Sequence, residues 1–308
     1  MDHQRLILHH YTYSPYAEKI RLLLGAGAVP WYSAISPEMP PRPNVDPLTG
    51  GYRRIPVAQI GADIFCDTAL IAQEIACMAD NPSLGALPDD PSVEQLVGRA
   101  EGDVFFSAIT GASQLRVLAW LLMGFGLKGT RAFMKDRQGM MASGTVRPPR
   151  GAAARRLFDG FLADLEAQLQ HREWLSGDNM GCADAAVYHP IWFKTNIYKR
   201  SVTQSYPNVT RWYQAVSAVG HGDCAELSGA DALAAAKASQ PRALLETSVP
   251  DAPVGQQVSI TPNDYARIPV RGTLVAMTSS SLIVARDTAD LGLLHVHFPR
   301  DGYEVSTL

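Results

Sequence analysis

Two stretches decide how the first half of this chain folds. The first is Tyr13-Ser14-Pro15-Tyr16-Ala17-Glu18-Lys19-Ile20-Arg21. The second is Arg54-Ile55-Pro56-Val57-Ala58, followed by Cys66-Asp67-Thr68, whose acid stands eleven residues after the proline. Leu6-Ile7-Leu8-His9-His10, just before the first stretch, reads as a short apolar strand. From Ser14 onward Ala17, Ile20, Leu23 and Leu24 recur at helical spacing, and Gly25 or Gly27 offers the stop. Ser14 falls at the N-cap and Pro15 at the first helical position, where their residue types are favoured.

Working outward, Trp31–Ile35 reads as a second strand, and a loop with five prolines between Ser36 and Pro47 follows. Val57–Ile60 and Ile64–Cys66 make two short strands joined by Gly61-Ala62-Asp63, and a helix over Thr68–Met78 closes the unit. That β-α-β then β-β-α order is what a thioredoxin-like fold requires. Residues 80–92 are turn-formers without periodicity and read as a linker. From Ser92 to about Ala238 strand signals vanish. Leu157, Phe161, Leu162, Leu165 and Leu169 form one helical stripe, Ala185–Tyr198 a more hydrophobic helix, and Met141–Gly151 a long connection. After Leu245, Pro250, Pro253 and Gly255 mark a second linker. Val258–Ile260, Gly272–Met277, Leu282–Arg286 and Leu293–Phe298 then read as the strands of a small antiparallel barrel or sandwich. The expected fold is therefore α+β and multidomain. It has a thioredoxin-like unit at 1–85, an all-helical unit at 92–240 and a small all-β unit at 250–308.

Each short motif has two readings. The Ser14 hydroxyl can simply cap a helix, or it can hydrogen-bond a bound thiol and favour the thiolate beside the positive end of the helix dipole. Pro56 can be an ordinary trans proline at a strand's first residue. Read instead as cis, it would turn the Ile55 backbone toward an extended peptide that pairs like an added strand. Asp67-Thr68 can be a plain cap, or it can hold the charged ends of an amino-acid moiety, with a carboxylate on the free N–H groups.

Taken together and in order, the motifs resemble the glutathione transferase superfamily over roughly residues 5–240. Its N-terminal half carries S/C-P-[FY]-x-x-[KR]-[VIT]-R, matched by Ser14–Arg21. Its second motif, [KR]-[VI]-P-x-L with an acid-hydroxyl pair eleven residues on, is matched by Arg54-Ile55-Pro56-Val57, with Ala58 in the place of the leucine, and by Asp67-Thr68. A third match is the S/T-x-x-D capping box of a core helix, where Gly181-Cys182-Ala183-Asp184 keeps the acid and loses the hydroxyl. The resemblance implies that Ser14 bonds the glutathione sulfur, with Tyr11 or Tyr13 as substitutes, because members with a catalytic Tyr place it at the end of the first strand. It further implies that Ile55 pairs with the cysteinyl backbone after Pro56 and that Asp67 with Thr68 takes the γ-glutamyl group. Arg54 is placed near a glutathione carboxylate, and Tyr11, Tyr13 and Tyr16 would wall the site. A small hydrophobic electrophile would lie against the helices that hold Phe105, Phe106 and Trp120, aromatics that read either as core or as pocket wall, core being the commoner role. With Ser at 14 in place of Cys, the mixed-disulfide route is closed. The implied activity is transfer of glutathione to an electrophile, a detoxification chemistry, in a homodimer that needs no metal. A non-catalytic binding or assembly module, and a glutathione-dependent peroxidase or isomerase, are the alternatives.

Composition agrees with such a reading. The 308 residues are 46% hydrophobic with a net charge of −3, which gives no whole-protein attraction to nucleic acid or anionic membrane. No apolar run reaches the roughly 18 residues of a bilayer span, and Met1–Arg5 lacks the layout of a signal peptide. Cys66, Cys77, Cys182 and Cys224 form no C-x-x-C, so neither a zinc knuckle nor a dithiol motif is written, and a reducing cytoplasm is expected. His295 and His297, two apart on a strand, would face one side and could share a metal, but with no third ligand evident they read as a solvated or packed pair. His9-His10 read as structural and Cys66 as a buried strand cysteine. Arg147, Arg150, Arg155 and Arg156 read as a solvated basic cluster at a helix start.

Overall fold

A computed structural model of the chain describes residues 5–142, 144–199, 201–244 and 249–308. Met1–Gln4 and Leu245, after which the sequence changes character, lie outside the described residues, whereas Pro250, Pro253 and Gly255 of the second linker lie within them.

Strand β1 (Leu6–His10) is buried along its whole length, because it lies between parallel β2 (Trp31–Ile35) and antiparallel β3 (Val57–Ile60). A strand covered on both faces needs no polar alternation. Helix α1 (Pro15–Ala26) crosses from β1 to β2, with Ser14 at its N-cap and Gly27 at its C-cap. The proline-rich loop contains one helical turn, α2 (Asp46–Thr49). β3 turns through Gly61 (φ 57°) into β4 (Asp63–Cys66), and α3 (Thr68–Met78) follows at the expected residues.

The helical unit contains α4 (Pro91–Glu101), α5 (Asp103–Thr110), α6 (Gln114–Ala142), α7 (Gly151–Gln168), α8 (Cys182–Tyr198) and α9 (Pro207–Val219). α6 breaks at Gly126, whose φ of 63° is open to glycine without strain. One continuous core joins Leu6, Leu8, Ile20 and Phe65 of the first unit to Phe158, Phe161, Ile191 and Trp212 of the helices. Among the described residues no single helix is long and apolar enough to cross a membrane.

Two strands escaped the sequence reading. β5 (Cys224–Glu226), within the stretch expected to lack strands, pairs parallel to β2 at the sheet edge. It is three residues long and largely exposed, so it carries no hydrophobic period to read. Helix α10 (Gly229–Lys237) then returns to lay Ala232 and Ala235 on Ile7 and Ala34.

The C-terminal all-β unit is present as β6 (Gln257–Pro262), β7 (Val270–Met277), β8 (Ser281–Thr288), β9 (Gly292–Pro299) and β10 (Tyr303–Thr307), the last also unforeseen. These strands run antiparallel in the order β10-β6-β7-β8-β9. β9 then pairs parallel to β4, Asp63 opposite His295 and Phe65 opposite His297. Among the described residues one ten-stranded sheet results. A second core, holding Tyr52, Val57, Ile64 and Cys66 against Val258, Leu274, Val284 and Phe298, cements the junction.

Candidate functional site

The turn from β1 into α1 is built by the residues of the first motif. Ser14 Oγ accepts the Ala17 N–H at 3.2 Å. Buried Arg21 donates to Glu18 Oε2 at 2.6 Å, to the Thr12 carbonyl at 2.9 Å and to His10 Nδ1 at 3.0 Å. The lysine of the motif, Lys19, reaches Glu101 of α4 and donates to Thr68 Oγ1 at 3.3 Å. Burial works most strongly against the Lys19 charge, but the Glu101 carboxylate together with Cys182 and Asp67 outweighs it and holds the pKa above the usual lysine value. These motif residues therefore fix the relative placement of α1, α3 and α4. The structural reading of His9 and His10 agrees with their partners, Gln59 Oε1 and Ser33 Oγ, each at 2.9 Å.

A cavity of about 450 Å³ opens where β3, α3 and α4 meet the C-terminal unit. It is lined by Tyr16, Arg54, Ile55, Pro56, Asp67 and Thr68, six of the residues named from sequence. The Ile55–Pro56 peptide is cis, as expected. Asp67 caps α3 through Oδ1 to Ala69 N at 3.1 Å and adopts φ 82°, a conformation a non-glycine residue holds at a cost of about 1–3 kcal/mol. Tyr16 donates its hydroxyl to the Glu101 carbonyl at 3.2 Å, and burial pushes its phenol well above 10.

The three residues assigned to the thiol do not line this cavity. Ser14 is 1% exposed. Tyr13 packs on Tyr11 at 4.9 Å and edge-on to Trp120 at 5.3 Å, and burial raises its phenol too. Of the aromatics on the helices expected to face an electrophile, Phe106 lines the cavity, whereas Phe105 packs against Tyr16 at 4.8 Å and Trp120 against Tyr13.

Sequence reasoning missed several lining residues. Tyr52, Glu101, Asp103 and the pair Asp264-Tyr265 all face the cavity, and Arg147 joins the wall instead of a solvated cluster. Tyr303 stands behind Asp67, donating to Oδ2 at 3.1 Å and sharing a 2.7 Å hydrogen bond with Tyr52. Arg54 donates to Asp264 and to the Tyr265 carbonyl at 2.7 Å, with its guanidinium 4.2 Å from the Tyr265 ring centroid. Burial works against the Arg54 charge, but the oxygens of Tyr52, Tyr265, Tyr303 and Asp264 outweigh it and hold the cation firmly. Burial pushes the Tyr265 phenol up to about 12. Asp264 and Tyr265 follow Arg54 by some two hundred residues and carry no local pattern, so nothing in the sequence pointed to them.

The histidine pair acquires the third neighbour the sequence did not show. Asp63, His295 and His297 are all buried, with ligand-type atoms within 4.8 Å of one another. Both Asp63 oxygens are engaged, Oδ1 by His297 Nε2 at 2.7 Å and Oδ2 by the Arg242 N–H at 2.8 Å, which makes the group a hydrogen-bonded clasp between β4 and β9. All four cysteines are free. Burial, followed by the Asp67 charge, raises the Cys66 thiol well above its ordinary value, which suits an inert core thiol.

Residues 8–83 match the family model described as glutathione S-transferase, N-terminal domain, and residues 148–215 match glutathione S-transferase, C-terminal domain. The chain is similar to a GST-like protein from Pseudomonas syringae, with 31% identity, a TM-score of 0.74, and coverage of 98% of this chain and 99% of that one. A glutathione S-transferase from Methylobacillus flagellatus with GSH bound is 19% identical, at TM-score 0.48, covering 70% of this chain and 98% of its own. One from Methylobacterium radiotolerans, in complex with glutathione sulfonate, is 21% identical, at TM-score 0.47, covering 70% and 91%. No curated protein matches the chain.

Proposed function

Because the chain belongs to the glutathione S-transferase superfamily, we propose that its cavity binds glutathione and presents the thiol for attack on a small hydrophobic electrophile. The observation that carries this reading is the convergence of the Ile55 peptide, Asp67 and Thr68 on one cavity beside the start of α1. A γ-glutamyl group would lie at the N-terminus of α3, its ammonium toward Asp67 and its carboxylate toward the free N–H groups and Thr68. The cysteinyl backbone would pair with Ile55. Ser14 Oγ accepts from Ala17 but keeps its own proton to donate, so it would stabilise the ligand's thiolate. The thiol proton leaves to solvent, the sulfur forms a bond to the electrophilic carbon, and that carbon's leaving group departs with its electron pair. The protein supplies thiolate stabilisation and proximity. The organisation we propose keeps three units, 1–85, 92–240 and 250–308, in a cytoplasmic homodimer. Leu115, Met123 and Leu127, exposed by 79%, 86% and 79% on α6, would supply apolar surface to it.

A second reading, binding without catalysis, is favoured by the burial of Ser14, whose hydroxyl reaches a ligand sulfur only if its surroundings move. Calorimetric titration of glutathione into wild type and Asp67→Ala tests the site. The expected result is heat with wild type and affinity weakened about tenfold or more in the variant, the scale of one lost hydrogen bond to a charged group. No heat in either protein refutes the site. Binding with no turnover across electrophiles and peroxides replaces the enzyme with the binding module.

A further inference from the structure

The side chain that this reading aims at a peptide carboxylate already holds one. Arg54 grips Asp264 and the Tyr265 carbonyl, and its face is covered by the Tyr265 ring. Asp264 is carried there by the backbone of the loop between β6 and β7. The Asn263 N–H donates to the Gly302 carbonyl at 3.0 Å, the Thr145 N–H to the Asp264 carbonyl at 2.7 Å, and the Ala266 N–H to the Met140 carbonyl at 2.8 Å. The approach at Gly144 is so close that a Cβ there would lie 2.4 Å from the Asp264 carbonyl oxygen and 3.0 Å from Tyr265 Cα. The loop is therefore a fixed wall, tied to α6, to the 144–148 segment and to its own sheet.

Charge around the cavity points the same way. Four carboxylates, on Asp67, Glu101, Asp103 and Asp264, face it against the guanidiniums of Arg54 and Arg147, with Glu101 paired from behind to the Lys19 ammonium. A free carboxylate brought to Arg54 would share one cation with Asp264 and meet like charge at close range. An uncharged carbonyl in that place would accept a hydrogen bond and repel nothing.

We propose that Asp264 is a specificity-determining residue, and that the ligand it selects is a γ-glutamyl thiol peptide whose far carboxylate is masked as an amide or ester. This rests on the reading that the cavity takes a glutathione-type peptide, and it turns the C-terminal unit into a working part of the site. Asp264 has a side chain 39% exposed, so solvent screens part of the repulsion. The selection is therefore set at about tenfold, the scale of one charge-assisted hydrogen bond.

The test compares two ligands across three proteins. Glutathione and its glycyl monoethyl ester are titrated into wild type and into Asp264→Asn, with Asp264→Ala as a second variant that keeps the backbone carbonyl Thr145 holds. Wild type is expected to bind the ester about tenfold more tightly than glutathione, and both variants to bind glutathione at least as tightly as the ester. A preference for glutathione in wild type, or one ester-to-acid ratio in all three proteins, overturns the assignment of Asp264 while leaving the glutathione site standing. The second of those results is what a loop that swings away on binding would give. Failure of either ligand to bind any of the three proteins removes the site reading itself, and this proposal with it.

Discussion

Replacing Ser176 by Ala isolates how the central helix of this protein starts without a capping hydroxyl of its own. The N-cap of α8 is Gly181, and the Asp184 carboxylate accepts from Gly181 N at 3.2 Å, Leu175 N at 2.8 Å, Ser176 N at 3.1 Å and Trp212 Nε1 at 2.7 Å. The missing hydroxyl arrives from five residues upstream. Ser176 Oγ accepts the Ala183 N–H at 3.2 Å and the Asp184 N–H at 3.4 Å, the groups an N-cap side chain would serve. Both bonds are long, so Ser176→Ala is expected to cost about 1 kcal/mol, the middle of the range for lost caps. Gly181 cannot take the job back. A Cβ there would lie 2.6 Å from the Ser83 carbonyl oxygen and 2.7 Å from Ser176 Cβ, so Gly181→Ser is destabilising by about 1–3 kcal/mol in either background. Urea unfolding with amide hydrogen exchange at Ala183 and Asp184 reads both effects, and a 1 kcal/mol loss speeds local exchange about fivefold. If Ser176→Ala leaves stability and those amides unchanged, or if Gly181→Ser rescues it, the borrowed cap is wrong.

The buried histidines give a pH dependence. Burial holds His9 down to about 4 and His189 to about 3, and burial with the Arg21 charge holds His10 to about 3. Below the unfolded value of 6.5 the unfolded chain binds protons that these neutral rings refuse, so stability present above pH 6.5 is lost as pH falls. At pH 5 each contributes a loss of about 2 kcal/mol. Urea midpoints should drop between pH 7 and pH 5, with a shallower slope in His189→Gln; a flat profile contradicts the burial. The exposed row on α6 predicts a dimer by sedimentation equilibrium that Leu127→Glu shifts toward monomer; an unchanged wild-type and variant mass rules out that face.

Elements were legible where their signals are local. Ser14-Pro15 and Gly27 punctuate α1, and Asp67-Thr68 starts α3 at the residue expected, because caps act within a turn. β5 was invisible because three residues cannot show a period, and β10 because it is short and largely exposed. The six lining residues from the two motifs were readable since each lies at a fixed offset from a helix or strand start. The part of the wall supplied by the C-terminal unit was not, because Asp264 and Tyr265, with Tyr303 behind the wall, reach Arg54 and Asp67 through a pairing of β9 with β4 that joins residues more than two hundred apart. Sequence pattern marks a strand and says nothing about which distant edge it will choose.

That pairing has a consequence for biogenesis. During synthesis β4 is complete long before β9 emerges, so its edge waits with unpaired backbone groups and with Val57, Ile64 and Cys66 uncovered on one face. The entropic cost of closing a loop grows only slowly with its length, but a contact this distant in sequence forms late. The waiting edge is a template for another nascent chain. Removing residues 249–308 would leave that template permanently open, so a shortened chain is expected to aggregate even though its thioredoxin-like and helical cores are intact.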